Sequence, residues 1–382
     1  MVTIARVETF LVAPRWLFVR IETSDGVVGW GEATCEGRSE TVAAAVAQLA
    51  ELLVGGDPTR IEDHHRTLSN GSFYRGGPIL GSAVAGIDQA LWDIKGKALG
   101  APVHELLGGP VRDRVRVYAW VGGDEPNEIR EQIAPRVASG LTAVKMNASG
   151  RMSPLATSRE IDGVLARVAA AREELGPDRD VAVDFHGRVS LPSAVRLAAE
   201  LVGLRPLFIE EPVVPENSAR IGQVVAATSI PVATGERLYT RQEFRPVLDA
   251  GVSIVQPDLS HAGGITEVRK IAALAETYGA LLAPHCPLGP IGLAASLQIG
   301  FCTASHVIQE QSIGIHYNVG AEVLDYLVDT SVFDYADGSV ARLTGPGLGI
   351  EVDEAAVRKA AAAWTGWSNP TWRYEDGGFA EW

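Results

Sequence analysis

The sequence predicts an α/β fold: a parallel (β/α) barrel in the middle of the chain, with an α+β cap built from its two ends. Three observations predict it. Six polar residues, Asp184, Glu210, Glu236, Asp258, His285 and Glu310, each close a short apolar run, at successive gaps of 26, 26, 22, 27 and 25 residues. A strand, a loop, a helix and a return loop use about that many residues, so the beat reads as one residue per βα unit. Two further apolar runs, at 115–120 and 142–146, extend the beat backwards to eight strands. The first 110 residues lack the beat and read as an antiparallel sheet followed by helices.

Taken in order, 4–12, 16–23 and 27–32 are strand-like, the last two joined around Asp25-Gly26, a strong hairpin signal. Helical segments follow at 39–53, 61–67 and 80–99. The eight barrel strands are expected at 115–120, 142–146, 180–184, 207–211, 230–236, 253–258, 281–285 and 306–310. Each is a continuous apolar run, as suits strands buried on both faces. The segments between them carry helical periodicity: Val195, Ala198 and Val202 recur on one face, as do Val268, Ile271, Ala272 and Ala275. Strand–helix alternation implies a parallel sheet, and eight units imply closure. The long gap between Lys145 and Asp184 leaves room for an extended loop at 147–158. From about Leu343, the Gly-Pro-Gly-Leu-Gly-Ile-Glu-Val stretch is expected to return to the cap as one more strand. The division is therefore 1–114 with 340–382 as cap, and 115–339 as barrel.

Composition narrows the function. With 46% hydrophobic and 21% charged residues, the chain is an ordinary globular one. Its net charge of −14 argues against nucleic acid, whose binding relies on Lys and Arg neutralising phosphates. Tyr278 to Gln309 contains no charged residue, but Pro284, Pro287 and Pro290 interrupt it, so a membrane span is not expected. The first apolar run carries Arg6 and Glu8, unlike a signal peptide. Cys35, Cys286 and Cys302 give neither a disulfide framework nor a zinc spacing, which fits a reducing, cytoplasmic setting. Cys286, beside His285, reads as a packing residue. Gly29-Trp-Gly-Glu32 is not a nucleotide loop, because no G-x-G-x-x-G opens a helix there.

All strands of a parallel barrel point one way, so their C-terminal ends converge on one face. Asp184, Glu210 and Glu236 end strands three, four and five. Three hard oxygen ligands from adjacent strands suit Mg²⁺, which keeps positions open for water or substrate. Asp258 and His285 end strands six and seven; a carboxylate beside an imidazole fixes its tautomer and raises its basicity, giving a general base. His186, two residues beyond Asp184, can aim into the same mouth and protonate a leaving group. Glu310, ending strand eight, is placed to hydrogen-bond a substrate carboxylate as charge develops. His64, His65, His104, His261, His306 and His316 read as structural.

This order of residues resembles the enolase superfamily, and within it the mandelate-racemase-like group with its galactonate-type dehydratases: an α+β capping domain over a modified TIM (β/α) barrel. The resemblance spans nearly the whole chain. It rests on Ala85-Gly-Ile-Asp-Gln-Ala-Leu-Trp-Asp-Ile-Lys-Gly-Lys97, Asp184-Phe-His-Gly-Arg-Val189, Glu210-Glu-Pro-Val213, Gln256-Pro-Asp-Leu-Ser-His261, Ala283-Pro-His-Cys-Pro-Leu-Gly-Pro290 and the terminal Trp372, Glu381 and Trp382. Racemases of the group carry Lys-x-Lys at the end of strand two. Here the string is Lys145-Met-Asn147, so the second, opposed base is missing and racemisation is disfavoured.

The resemblance implies Mg²⁺-dependent dehydration of an aldonate, D-galactonate foremost. His285, assisted by Asp258, would remove the C2 proton, and the metal, Lys145 and Glu310 would stabilise the enediolate. His186 would protonate the departing 3-hydroxyl, yielding a 2-keto-3-deoxy acid. Lys145 and Asn147 are expected to contact substrate, and loops around Trp16 and Tyr74 to read its hydroxyl pattern. The alternatives are a dehydratase for another aldonate or aldarate, and a non-catalytic sugar-acid-binding protein. The partner is a small sugar acid, with neither nucleic acid nor membrane, and the chain is expected to form a homo-oligomer.

Overall fold

A computed structural model describes residues 1–382. In the cap, β1 (Ile4–Val12), β2 (Trp16–Thr23) and β3 (Val28–Glu32) form an antiparallel sheet in sequence order. Its turn falls at the expected place, with Gly26 at φ 89. Helices α1 (Ser39–Ala50), α2 (Ile61–Asn70), α3 (Gly77–Leu99) and α4 (Val103–Leu106) follow. The glycines of β3 are explained by α3: a Cβ on Gly29 or Gly31 would meet the backbone carbonyls of Ala90 or Gly86. They allow close helix–sheet approach rather than phosphate binding.

The barrel strands are β4 (Arg114–Val121), β5 (Ala143–Asn147), β6 (Asp180–Asp184), β7 (Ile209–Glu210), β8 (Val232–Thr234), β9 (Ile254–Val255), β10 (Leu281–Leu282) and β11 (Gln309–Gln311). Each pairs in parallel with the next from β4 to β10. The ring closes where β11 pairs with β4 and Leu282 bridges to His306. Outside lie α5 (Pro126–Ala138), α6 (Ser158–Leu175), α7 (Leu191–Glu200), α8 (Gly222–Val225), α9 (Arg241–Asp249), α10 (Gly264–Thr277) and α11 (Pro290–Cys302). The ladders of β7 to β10 are shorter than the apolar runs suggested. Pro212, Pro257 and Pro284 follow β7, β9 and β10 within two residues and supply no N–H to prolong them.

The barrel interior is plugged by one buried residue per strand position: Tyr118, Ala143, Ala182, Phe208, Ala233, Ile254, Ala283 and Ile308. Large and small side chains share the space, as close packing in a narrow barrel requires.

After β11, β12 (Tyr335–Ala336) and β13 (Ser339–Ala341) form a hairpin that adds antiparallel to the start of β4. The strand expected after Leu343 does not form. Gly347 and Gly349 take positive φ, and the Gly347 and Leu348 amides bond to Ala101 O and the Asp93 carboxylate, so the segment docks on the cap as irregular backbone. Next, α12 (Glu354–Ala362) packs on β1, and a two-residue-per-strand hairpin, β14 (Trp372–Arg373) with β15 (Phe379–Ala380), follows it. No helix is long and apolar enough to cross a membrane.

Candidate active site

Strand alternation builds the site directly on the plug. Two residues beyond Ala143, Ala182, Phe208, Ile254, Ala283 and Ile308 stand Lys145, Asp184, Glu210, Gln256, His285 and Glu310. Residues two apart in a strand share a face, so a polar layer lies above an apolar one at the C-terminal mouth. Trp120 stands in the same relation to Tyr118. Strand β8 departs by one residue: Gly235, at φ 145 and packed against Phe244, makes Glu236 rather than residue 235 the inward side chain. Asp258 lies one further step along the Gln256 face.

Above this layer opens a cavity of about 1580 Å³. Lys145, Asn147, Asp184, His186, Glu236, His285 and Glu310 all line it, while Glu210 and Asp258 lie buried just behind. The oxygen Oδ1 of Asn147 is buried and has no hydrogen-bond partner, leaving an acceptor for a ligand hydroxyl.

Lys145 is the central cation, with Nζ 2.5 Å from Glu210 and 2.8 Å from Glu310. Burial opposes its charge, but Glu210 and Glu310 outweigh that and hold its ammonium well above the usual range. Burial works against Glu310 too, yet Lys145 and His285 hold its carboxyl below the ordinary value. The backbone N–H of Cys286 also donates to Glu310, at 3.0 Å. Glu310 thus accepts from Lys145 and the Cys286 N–H while still lining the cavity.

The three proposed metal carboxylates behave differently. Burial first, and then neighbouring carboxylates, push Asp184 and Glu236 up to about 7 and Glu210 to about 8. Lys145 bridges Glu210, Arg237 Nε lies 3.7 Å from Glu236, and Arg188 acts on Asp184, yet burial and mutual repulsion still leave all three carboxylates raised, an environment that a hard divalent cation fits. A tighter group of ligand-type atoms, from Asp258, His261 and His285, lies within 4.8 Å of one another. Within it His285 Nδ1 lies 2.8 Å from Asp258, while His261 sits between Asp258, 3.8 Å from its Nδ1, and Glu36, 3.6 Å from its Nε2.

The Nε2 atom of His285 lies 3.3 Å from Glu236 and faces the cavity. Burial disfavours its charge, but Glu236, Glu310 and Asp258 raise it to about 10. The field holding that proton comes first from Glu236, so a cation at Glu236 would free the imidazole to act as a base. His186 is pushed the other way: burial, then Arg188 and Arg237, hold it well below 6.5. It sits at φ 53, its N–H bonded to Asp184 at 2.7 Å and its Nδ1 to the Trp382 carbonyl at 2.8 Å. The C-terminal hairpin thus fixes the ring of His186 and leaves Nε2 for the cavity.

Several expectations change. Trp16 is buried and Tyr74 is 83% exposed, and neither side chain lines the cavity, but their segments reach it through Arg15 and Pro78, joined by Glu36 from the loop after β3. His261 and His316 are not remote structural histidines. His261 lies between Glu36 and Asp258, and His316 stacks on Trp120 at the cavity wall. Gln256 donates to Glu210 at 2.7 Å, and the two-residue step from Ile254 is the sequence signal that places it in this layer.

Comparison with known proteins agrees with this geometry. Residues 128–356 match the enolase C-terminal domain-like family, and residues 7–108 match the mandelate racemase / muconate lactonizing enzyme N-terminal domain. A D-galactonate dehydratase of Variovorax paradoxus is 53% identical over 380 residues, covering 99% of this chain and all of that protein. One from Xanthomonas axonopodis pv. citri is equally similar, with the same coverage. Among solved structures, an enolase from Agrobacterium radiobacter with bound sodium and L-malate superposes with a TM-score of 0.91 at 31% identity, covering 99% of this chain and 100% of that one. A mandelate racemase/muconate lactonizing enzyme from Sulfitobacter sp. gives 0.89 at 31% identity, covering 97% and 98%. With a cap and a barrel that both match, and full-length relatives above half identity, the chain belongs to the mandelate racemase/muconate lactonizing enzyme family of the enolase superfamily.

Proposed function

We propose that this enzyme is a hydro-lyase converting an aldonate, D-galactonate foremost, to its 2-keto-3-deoxy acid, with Mg²⁺ held by Asp184, Glu210 and Glu236. The observation that carries the reading is the placement of two histidines of opposite character, His285 and His186, beside one group of buried carboxylates. When bound, the divalent cation acts as a Lewis acid on the substrate carboxylate and makes the adjacent C2 proton easier to remove.

The residues do the rest. His285 takes the C2 proton at Nε2 while Asp258 holds Nδ1 and steadies the imidazolium. Lys145 directs its ammonium at the developing enediolate charge, held in place by Glu210 and Glu310. Asn147 accepts from a substrate hydroxyl. His186 delivers a proton to the departing 3-hydroxyl. Burial first, then Arg188 and Arg237, hold His186 below its ordinary value, and a negatively charged substrate beside it works in the opposite direction.

A monocarboxylate is favoured over an aldarate by the full-length D-galactonate dehydratases that this chain matches at 53% identity. In the cavity wall Arg15 Nε lies 3.9 Å from Glu36, which is held down at about 2; burial opposes its charge, and His261 and Arg15 outweigh that, so hydroxyls would find both donor and acceptor there. The reading includes a reducing, cytoplasmic setting, supported by three free cysteines, and self-association, supported by the exposed ring pair Phe73–Tyr74.

The test is a panel of epimeric aldonates and aldarates incubated with the Mg²⁺-loaded enzyme and assayed for 2-keto products. D-galactonate is expected to turn over fastest and its C4 epimer poorly. Equal turnover of an aldarate would redirect the assignment, and no product from any sugar acid would leave only binding.

A further inference from the structure

The buried carboxylate of Glu32, at the end of β3 in the cap, belongs to none of the groups described so far. It is 0% exposed and has no ion-pair partner within 4 Å. An unpaired buried charge is costly, so its environment calls for a reason. Its oxygens accept from the backbone N–H groups of Gly289 and Gly292, both at 2.8 Å, and from the Thr34 hydroxyl at 2.9 Å. Those two amides open α11, the helix that begins five residues after His285, where the helix dipole favours a negative charge. The contact is tight. A Cβ on Gly289 would lie 2.8 Å from a Glu32 oxygen, and one on Gly292 would lie 3.1 Å from Ser260 Oγ and 3.2 Å from Glu32.

A second residue of the cap completes the arrangement. Gln89, in α3, accepts from the Glu32 N–H at 3.0 Å. Its amide nitrogen donates to the Leu259 carbonyl at 2.9 Å and lies 3.4 Å from Ser260 Oγ. Ser260, in turn, donates its N–H to Asp258 at 2.6 Å. The adjoining side chains Glu32 and Gln89 therefore hold two different barrel loops, one carrying His285 and the other Asp258.

We infer that Glu32 and Gln89 are positioning residues for the Asp258–His285 pair, by which the cap sets the approach of the base to its partner. The inference rests on the reading of that pair as the base. Neither side chain lines the cavity, so their effect passes through the loops. Replacing Glu32 by Gln leaves one acceptor oxygen for two diverging amides and turns a donor toward the other. The 285–292 segment then loses one anchor, and His285 loses the fixed geometry that a well-placed base requires.

The experiment uses the full-length, Mg²⁺-loaded enzyme with D-galactonate. It compares Glu32→Gln and Gln89→Leu with a control, Asp93→Asn. Asp93 is an equally buried cap carboxylate that accepts from Trp30 N, Leu348 N and Lys97 but touches neither loop. The readouts are kcat, KM, deuterium exchange at C2 in D2O, and Tm. A displacement of the base of order 1 Å is expected to lower kcat and exchange together by about 10- to 100-fold. KM should stay within about twofold, since substrate-binding groups are untouched. Asp93→Asn should lose Tm but keep most of kcat.

The inference is overturned if Glu32→Gln loses no more kcat than Asp93→Asn, or if KM rises in step with the loss. Should Glu32→Gln fail to fold, Gln89→Leu decides on the same criteria, because it releases the Leu259–Ser260 loop and the Glu32 backbone while leaving the Glu32 carboxylate to hold Gly289 and Gly292. Wild-type turnover in His285→Asn would instead overturn the assignment of the base itself, so the two failures are distinguishable.

Discussion

The two histidines of the cavity make separable claims. His285→Asn should abolish both product formation and C2 hydrogen exchange, because Nε2 is the atom proposed to accept the proton. His186→Asn should spare exchange yet lower dehydration by about 10²- to 10⁴-fold, the usual cost of losing a general acid. An analogue carrying fluoride at C3 needs less protonation to leave, so its elimination should suffer much less in His186→Asn. The ratio of fluoride release to native dehydration in the two proteins is the measurement. Equal losses would move His186 from acid to support of the Asp184 side, where its N–H already bonds the carboxylate. Single residues were unevenly legible in the sequence. Asp184, Glu210, His285 and Glu310 end apolar runs and announce themselves. Arg15, Glu36 and Glu32 follow no periodicity, because their role depends on how the cap meets the barrel. His261 carries no local mark either; only the loop after β9 folds it against Asp258.

Barrel strands were legible because burial on both faces leaves a continuous apolar run. Their hydrogen-bonded lengths were not, since proline placement stops the ladder while the apolar run continues. The same limit explains the missing tail strand, where Gly347 and Gly349 leave the extended region. Strand alternation accounts for nearly every inward polar residue, and β8 is the instructive exception. Its extra residue is possible because glycine tolerates φ 145; a Cβ there would meet Phe244 at 2.6 Å and Gln256 N at 2.9 Å. Gly235→Ala is therefore expected to destabilise the fold by about 1–3 kcal/mol and to displace Glu236. Calorimetric titration with Mg²⁺ should show weakened binding at matched folding, and unchanged affinity with unchanged Tm would contradict the role given to Gly235.

Across the whole molecule, a chain of net charge −14 concentrates buried carboxylates at the barrel mouth, and pH should couple to metal binding there. Burial first, then like-charge neighbours, raises Asp184, Glu210 and Glu236 from 3.8, 4.5 and 4.5 to about 7, 8 and 7. Groups raised on folding favour the native state below their unfolded values and lose that contribution as pH rises through 7 to 8. The metal requires the ionised forms, so its stabilisation should grow over the same window. The Tm of chelated and Mg²⁺-loaded protein, compared from about pH 6 to about pH 8, should diverge as pH rises. A constant difference would show that these carboxylates are not the ligands.

The central claim, metal-dependent removal of the C2 proton followed by loss of the 3-hydroxyl, has one direct test. D-galactonate is incubated in D2O with exhaustively chelated enzyme, then with the same sample after Mg²⁺ is restored, and followed by NMR. The expected result is no C2 exchange and no product before metal, then formation of the 2-keto-3-deoxy acid after it. Full conversion by the chelated enzyme, or none by the restored one, would contradict the claim.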